Sequence, residues 1–272
     1  MTIQSSMLTL APTYTRPADN PLISLVNIDL VDNLDTDAPF AALEAVDLGL
    51  AEGDFVCAIG PSGCGKTSLL RVLAGYEKPT YGTVSVDGRP HTKPDAEVGV
   101  VFQQPNLFPW LTIEKSVDFG PRMKGVDAHE RRQRVSYFLE MVALIEAAKK
   151  LPHQLSGGMK QRAAIARALA ADPKMILMDE PFGALDAFTR ESMQMSLHDI
   201  WKKTNKTIFF ITHDVEEALL LSTRIILMYA NPERIIEDIE NPFSAKLADT
   251  SPSDLRVRSE ERRVGKECRS RW

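Results

Sequence analysis

A glycine-rich stretch at positions 60–67 constrains the fold of this chain more than any other feature. Its residues, Gly-Pro-Ser-Gly-Cys-Gly-Lys-Thr, match the pattern G-x-x-x-x-G-K-[S/T]. An apolar run at 55–59 precedes it, and residues 66–74 form a helical pattern that Gly75 ends. A loop of this kind between a buried strand and a helix presents a cradle of backbone N–H groups to phosphate. The sequence therefore predicts a nucleotide-phosphate site in an α/β protein.

The positions of this phosphate loop have separate expected tasks. Glycines let the backbone approach a phosphate closely, Lys66 is expected to reach the β- and γ-phosphates, and the Thr67 hydroxyl is expected to bind Mg²⁺. Cys64 stands at a variable position of the pattern, so we interpret it as a tolerated residue and not as a redox site. The predicted nucleotide contacts are the whole loop and the residue after it: Gly60, Pro61, Ser62, Gly63, Cys64, Gly65, Lys66, Thr67 and Ser68.

A second apolar run, at 175–178, ends in the carboxylates of Asp179 and Glu180. A carboxylate at such a strand tip helps to hold Mg²⁺ beside a phosphate loop, and we assign this task to Asp179. Glu180 is then placed to orient the attacking water or to accept its proton. Many strands end in acidic residues, so this pattern indicates a metal and catalytic site only because a phosphate loop lies upstream.

Composition and charge indicate an ordinary globular chain. The 272 residues are 44% hydrophobic and 25% charged, with a formal net charge of −5. Mild acidity disfavours a general nucleic-acid binder, and three cysteines suit a reducing compartment better than a disulfide scaffold. No apolar run in the sequence approaches the roughly 18–20 residues that span a bilayer, and we expect no exported N-terminus.

Apolar periodicity predicts alternating strands and helices, which is typical of a mostly parallel sheet flanked by helices. The stretch from about 105 to 160 is poor in strand patterns, and we expect it to form a helical subdomain. The expected strands lie at 22–28, 45–50, 55–59, 83–86, 98–102, 175–178, 208–211 and 225–229, and the expected helices at 66–74, 128–144, 158–171, 187–203 and 215–221.

The segment Leu155-Ser156-Gly157-Gly158-Met159 opens one of these helices. From the residues alone, it is either a second anion site built from backbone N–H groups or a helix start with a serine N-cap. In its context, the segment resembles the signature sequence of the ATP-binding subunits of ABC transporters. Three further segments resemble that family's motifs in the expected order: Val101-Phe102-Gln103 its glutamine loop, 179–186 its second nucleotide motif and D-loop, and Ile211-Thr212-His213-Asp214 its switch-histidine segment.

This resemblance covers roughly residues 22–235 and implies a particular architecture. The expected fold is a P-loop NTPase core, α/β with a mostly parallel sheet flanked by helices. An antiparallel β subdomain and an inserted helical subdomain at about 104–162 accompany it. The implied organisation is a flexible leader at 1–20, a nucleotide-binding domain at 21–236 and a C-terminal extension at 237–272.

The last fifteen residues, 258–272, hold six Lys or Arg and three Glu, and they lack apolar periodicity. Two interpretations of this basic tail stay open: attraction to a membrane surface, or a non-native end of the sequence. The tail departs from the family's expected C-terminus, so we leave it out of functional reasoning.

The resemblance also implies roles for individual residues, with ATP as substrate and Mg²⁺ as cofactor. Two subunits are expected to pack head to tail, with each ATP between the loop of one and the signature segment of the other. Asp186 belongs to the segment that resembles the D-loop, which is expected to contact the partner subunit. Gln103 is expected to sense the γ-phosphate and the metal. The implied catalytic residues are Glu180, His213 and Lys66, the implied metal ligands are Thr67, Gln103 and Asp179, and the further nucleotide contacts are Gln103, Ser156, Gly157, Gly158 and Asp186.

Within the family, residues 106–112 and 181–190 are most similar to the ATPases of nitrate, sulfonate and taurine importers. This implies a separate membrane permease, indirectly a solute-binding protein, and a location on the cytoplasmic face of the plasma membrane. The alternative is a soluble ABC-type ATPase that acts on nucleic acid or ribosomes. One departure concerns the adenine base: no aromatic residue lies between Tyr14 and Phe40, so Phe40 is the candidate to stack on it, although it could equally belong to the core.

Overall fold

A computed structural model of the chain describes residues 21–32, 40–183, 185–230, 233–241 and 243. Within them, the backbone forms two sheets and a set of helices. The leader expected at 1–20 and the basic tail at 258–272 lie outside the described residues. In the described part of the chain, no helix is both long enough and apolar enough to cross a membrane.

The smaller sheet is antiparallel and has four strands in the order β2-β1-β4-β5. Its pairing is irregular near Asn27 and Ala45, which adopt left-handed backbone angles with φ of 49° and 46°. It corresponds to the antiparallel β subdomain expected from the sequence. Its strands are β1 (Ile23–Asp32), β2 (Phe40–Leu50), β4 (Tyr81–Val86) and β5 (Arg89–Pro90).

The larger sheet has six strands in the order β10-β9-β3-β8-β7-β6, and all neighbouring pairs are parallel except β10 with β9. Every residue of β3 and β8 is buried, as expected for strands covered on both faces. The strands are β3 (Phe55–Ile59), β6 (Val98–Val101), β7 (Met175–Asp179), β8 (Thr207–Ile211), β9 (Arg224–Tyr229) and β10 (Arg234–Glu240).

Alternate side chains of the larger sheet enter two separate cores, because successive strand residues point to opposite faces. Val56 and Phe209 join the core that also holds the smaller sheet and α1 (Lys66–Leu73). Phe55 and Phe210 join the core on the opposite face. That face is covered by α4 (Gly157–Ala170), α5 (Ala187–Thr204) and α6 (Val215–Leu221). The predicted layered α/β architecture is confirmed.

A third core lies among α2 (Ile113–Met123), α3 (Ala128–Met141) and one face of α4. It corresponds to the helical subdomain that the strand-poor stretch predicts. The helix expected at 128–144 ends at Met141, since Ala143 takes a left-handed angle with φ of 52°. The expected domain boundary at 236 falls inside β10, which continues to Glu240 and pairs with β9.

Candidate functional site

Four of the predicted motif segments meet at one edge of the larger sheet, where its parallel strands end. Neighbouring strands β3, β8, β7 and β6 stop nearly level, because Ile211 pairs with both Ala58 and Asp179, and Val101 pairs with Met178. The phosphate loop follows β3, His213 follows β8, Asp179 ends β7, and Gln103 follows β6. In open parallel sheets, ligands bind at this carboxyl edge. The fold thus brings four separate sequence segments to one place.

The phosphate loop has the backbone that its glycines predict. Gly63 and Gly65 have left-handed φ values of 83° and 85°, and Gly65 is the N-cap of α1. A Cβ atom on Gly65 would lie 2.5 Å from the Ala42 carbonyl oxygen, so a larger residue would be excluded there as well as strained. The loop therefore ends directly on the N-terminus of a helix, a favourable place for an anion.

Lys66 is folded back over this loop. Its Nζ donates hydrogen bonds to the Gly60 and Pro61 carbonyl oxygens at 2.7 and 2.9 Å, and the side chain is only 8% exposed. The Cys64 Sγ lies 3.6 Å from the same ammonium. Burial raises the pKa of the Cys64 thiol, against the opposing effect of Lys66. The thiol is thus buried and neutral, whereas a reactive redox thiol is exposed and readily ionised.

Thr67 and Asp179 lie together, as the predicted metal pair requires. The Thr67 hydroxyl donates a hydrogen bond to Asp179 Oδ2 at 3.4 Å. Burial raises the pKa of the Asp179 carboxyl, and the neighbouring Glu180 charge raises it further. Two oxygen ligands beside a phosphate cradle are the donor type that Mg²⁺ prefers, and a cation there would relieve the repulsion between the two carboxylates.

Glu180 and His213 form the second close pair of the site. His213 Nδ1 lies 3.3 Å from Glu180 Oε2, and the His213 side chain is 68% exposed while that of Glu180 is 23% exposed. Glu180 has a left-handed φ of 42°, and its N–H donates to the Ile211 carbonyl oxygen at 3.0 Å. Strained non-glycine residues of this kind concentrate at functional sites. The turn thus places the carboxylate of Glu180 beside His213.

Gln103 is exposed, two residues beyond the end of β6. Two residues of α4 that sequence reasoning missed hold its loop from both sides. Gln161, 2% exposed, donates to the Phe102 carbonyl oxygen at 3.1 Å. Arg167 donates to the Asn106 carbonyl oxygen at 2.7 Å. The only sequence signal was their polarity within an alanine-rich helix.

Ser156 is the N-cap of α4, and its Oγ accepts a hydrogen bond from the Met159 N–H at 3.3 Å. A Cβ atom on Gly157 would meet open space, whereas one on Gly158 would lie 3.0 Å from Leu185 Cδ2. The signature segment therefore packs against the turn before α5 in the same chain. It opens the helix of the helical subdomain, whereas the phosphate loop opens α1 of the core.

Asp186 is the N-cap of α5 and accepts a hydrogen bond from the Thr189 N–H at 3.0 Å. Hydrogen bonds from Thr189 lower the pKa of its exposed carboxyl. Arg190, to which sequence reasoning gave no role, donates to the Leu185 carbonyl oxygen at 2.9 Å and braces the preceding turn. Phe40 begins β2, but its side chain lies outside the described part, so the adenine-stacking prediction stays untested.

The fold and this edge of the sheet define a class of protein: a phosphate-loop enzyme built to bind and hydrolyse a nucleoside triphosphate. Comparison with known families narrows the class. Residues 43–183 match the model of the family described as "ABC transporter". The chain belongs to the ABC transporter family, and it is an ABC-type ATPase.

Individual relatives agree with this family. The taurine import ATP-binding protein TauB of Roseobacter denitrificans is 47% identical over 86% of this chain and 86% of its own length. The nitrate import ATP-binding protein NrtD of Synechocystis sp. is 48% identical over 73% of this chain and 74% of its own. A dimeric structure of the ATP-binding cassette MJ0796 bound to ADP and Pi covers 80% of this chain and 98% of that one, with a TM-score of 0.72 and 34% identity.

Proposed function

We propose that this chain is the ATP-hydrolysing subunit of a membrane importer for a small anionic or sulfonated solute. The observation that carries the proposal is the edge where the Thr67–Asp179 and Glu180–His213 pairs meet the phosphate loop. The relatives that are named as taurine and nitrate import ATP-binding proteins support the direction of transport and the solute class. Neither the mildly acidic charge nor these relatives favour the nucleic-acid alternative.

Lys66 and the loop amides bind the phosphates in this proposal. The Lys66 ammonium is held by two backbone carbonyl oxygens, and a phosphate oxygen is a stronger acceptor because it is charged. Binding would therefore exchange these internal bonds for bonds to the β- and γ-phosphates. The helix N-terminus at Gly65 adds a fixed positive dipole end.

Thr67 and Asp179 fit a resident Mg²⁺, because their oxygens are already adjacent at the phosphate loop. Gln103, which leaves the neighbouring strand β6 at the same edge, is the proposed third protein ligand. A Mg²⁺ ion held by these residues would supply positive charge against the negative charge of the phosphates. The chain's own contribution is to hold these ligands on two strand ends and a helix start.

Glu180 is the proposed group that orients the water and accepts its proton. Its carboxylate shares the space beside His213, whose ring can contact the γ-phosphate and keep the water and carboxylate aligned. The strained φ of Glu180 fixes this direction before the substrate arrives. Such preorganisation reduces the reorganisation needed during the reaction.

A second subunit would complete each site. Ser156, Gly157 and Gly158 sit at an open helix N-terminus in the helical subdomain, with exposed backbone at Gly157. A head-to-tail partner could present this N-terminus to ATP held by the phosphate loop, with Asp186 at the contact. The dimeric ATP-binding cassette with 34% identity supports this assembly.

The proposed assembly also contains a membrane permease and, indirectly, a solute-binding protein, with this chain peripheral on the cytoplasmic face. The test reconstitutes the chain with its co-encoded permease and binding protein in liposomes and measures ATP hydrolysis with taurine, other sulfonates, nitrate or no solute. We expect stimulation by one of these solutes, and none in the Glu180→Gln variant. Stimulation by DNA or RNA instead of any solute would favour the alternative function.

A further inference from the structure

A buried polar cluster lies behind His213 and takes no part in the proposed chemistry. Its members are Thr212, Gln194 on α5 and Glu217 on α6, with exposed fractions of 2%, 8% and 5%. Burying a carboxyl group and an amide is unfavourable unless each has partners. Two apolar side chains would fill the same volume as Gln194 and Glu217 without this cost. We therefore look for a role of the cluster other than filling the core.

The partners of Glu217 come from two other elements. Gln194 Nε2 donates a hydrogen bond to Glu217 Oε1 at 2.9 Å. Burial raises the pKa of the Glu217 carboxyl, while contacts with the Thr212 hydroxyl and the Gln194 amide lower it. The nearby charges act in opposite directions, because Asp214 raises this pKa and Arg190 lowers it. Glu217 thus joins α6 to α5 and to the segment that follows β8.

This cluster fixes the backbone on both sides of His213. The Thr212 hydroxyl, beside Glu217, accepts a hydrogen bond from the Asp214 N–H at 3.0 Å. Asp214 Oδ1 in turn accepts from the Glu217 N–H at 3.3 Å as the N-cap of α6. The residues before and after His213 are therefore both tied to Glu217.

His213 itself depends on this support. Its side chain is 68% exposed, so packing cannot fix the ring in place. The 3.3 Å approach to Glu180 must instead be set by the path of the backbone between Thr212 and Asp214. Gln194 anchors the same cluster to α5, the helix whose N-cap is Asp186.

We propose that Glu217 and Gln194 are positioning residues for His213, holding its ring against Glu180 through the Thr212–Asp214 turn. This inference rests on the proposed role of His213 in hydrolysis. It assigns the pair no contact with ATP, so ATP affinity is expected to be unaffected by their loss.

The first test is the substitution Glu217→Gln. A glutamine has one acceptor oxygen for the two donors, Gln194 and Thr212, so its own NH₂ group must face one of them. We expect kcat for ATP to fall on the order of 10-fold, the size seen when a hydrogen-bond partner of a site residue is removed, with KM unchanged. Glu216→Gln, one residue earlier and exposed, is the matched control and should leave kcat unchanged.

The same substitution made in a His213→Ala chain distinguishes a positioning role of Glu217 from general structural damage. If Glu217 acts through His213, then Glu217→Gln should change single-turnover hydrolysis by less than about 2-fold in a His213→Ala chain, because the two effects are not independent. An equal fold-loss in both backgrounds, or a raised KM with unchanged kcat, would overturn the proposal. Gln194→Met, which keeps the volume and removes the donor, must show the same pattern and covers the case in which Glu217→Gln does not fold. A chain that hydrolyses ATP normally without His213 would instead count against the proposed function.

Discussion

The Arg167 guanidinium on α4 donates a hydrogen bond to the Asn106 carbonyl oxygen at 2.7 Å, and a second one reaches the Pro105 carbonyl at 3.3 Å. The same group lies 5.8 Å from the centroid of the Phe108 ring. Since α4 begins at the signature segment, one helix carries both that segment and the support for the loop that contains Gln103. These contacts tie the position of the glutamine loop to that of α4.

Arg167→Met should destabilise the chain, because it removes the donors of two backbone carbonyls and keeps most of the side-chain volume. We expect the free energy of unfolding to fall by about 1–3 kcal/mol, because the partly buried Pro105 carbonyl loses its partner and the Asn106 carbonyl loses a short hydrogen bond from a charged donor. Urea unfolding measures the difference. Arg132→Met on the exposed face of α3 is the matched control, and an equal effect of the two substitutions would refute the special role of Arg167.

Glu180→Gln should retain ATP binding and nearly abolish turnover. The amide keeps the shape of the side chain but cannot accept the proton of the water, so kcat should fall by about 10²–10⁴-fold. Equilibrium binding of a fluorescent ATP analogue and a phosphate-release assay together test the two halves of this prediction. Hydrolysis at the parent rate would show that another group activates the water.

Ser156→Arg should block hydrolysis without unfolding the chain. The arginine would fill the open helix N-terminus that we propose a second subunit presents to ATP, and loss of the serine N-cap destabilises by only about 0.5–2 kcal/mol. Circular dichroism and an ATPase assay distinguish the two effects. Ser156→Thr, which preserves an N-capping hydroxyl, is the control, and full activity of Ser156→Arg would argue against a composite site.

Sequence patterns were sufficient for the phosphate loop and for a mostly parallel sheet. Such a sheet necessarily collects the carboxyl ends of its strands at one edge, although the register that makes these ends level was not predicted. They were insufficient for contacts between distant positions. Gln161 and Arg167 find their carbonyl partners only after α4 folds against the glutamine loop. Glu217 was invisible for the same reason, since its partner Gln194 lies on another helix.

Local patterns also missed two elements. The helix α2 contains Gly120 and Pro121, which ordinarily interrupt a helix, yet a Cβ on Gly120 would lie 2.6 Å from Ala171 Cβ. Close approach to the end of α4 thus requires a glycine inside α2. The strand β10 is largely polar, and pairing with β9 rather than apolar alternation makes it a strand.

The raised pKa of Glu217 predicts a pH-dependent stability. Its folded-state pKa lies above its ordinary value of 4.5, so the folded state binds the proton more tightly than the unfolded state does. Ionisation of this group therefore lowers the free energy of unfolding as the pH rises from about 4.5 through the folded pKa. Relative to the parent chain, Glu217→Gln should become progressively more stable over that range in urea titrations at a series of pH values. A difference in the free energy of unfolding that stays constant with pH would show that folding does not shift the pKa of this carboxyl.

Arg224 should be among the most sensitive positions for stability, because it joins parts of both sheets. Its guanidinium pairs with Asp54 at 2.9 Å and with Asp238 of β10, and it donates to the Gly49 carbonyl of β2 at 2.9 Å. The side chains of Arg224 and Asp238 are only 15% and 4% exposed, so removing the cation leaves the buried Asp238 carboxylate without its ionic partner. Arg224→Met should lower the free energy of unfolding by about 3–5 kcal/mol. Arg134→Met, whose partners Glu130 and Asp172 are both half-exposed, should have an effect of less than about 1 kcal/mol. Similar losses for the two variants in urea unfolding would mean that β10 adds little to the folded unit.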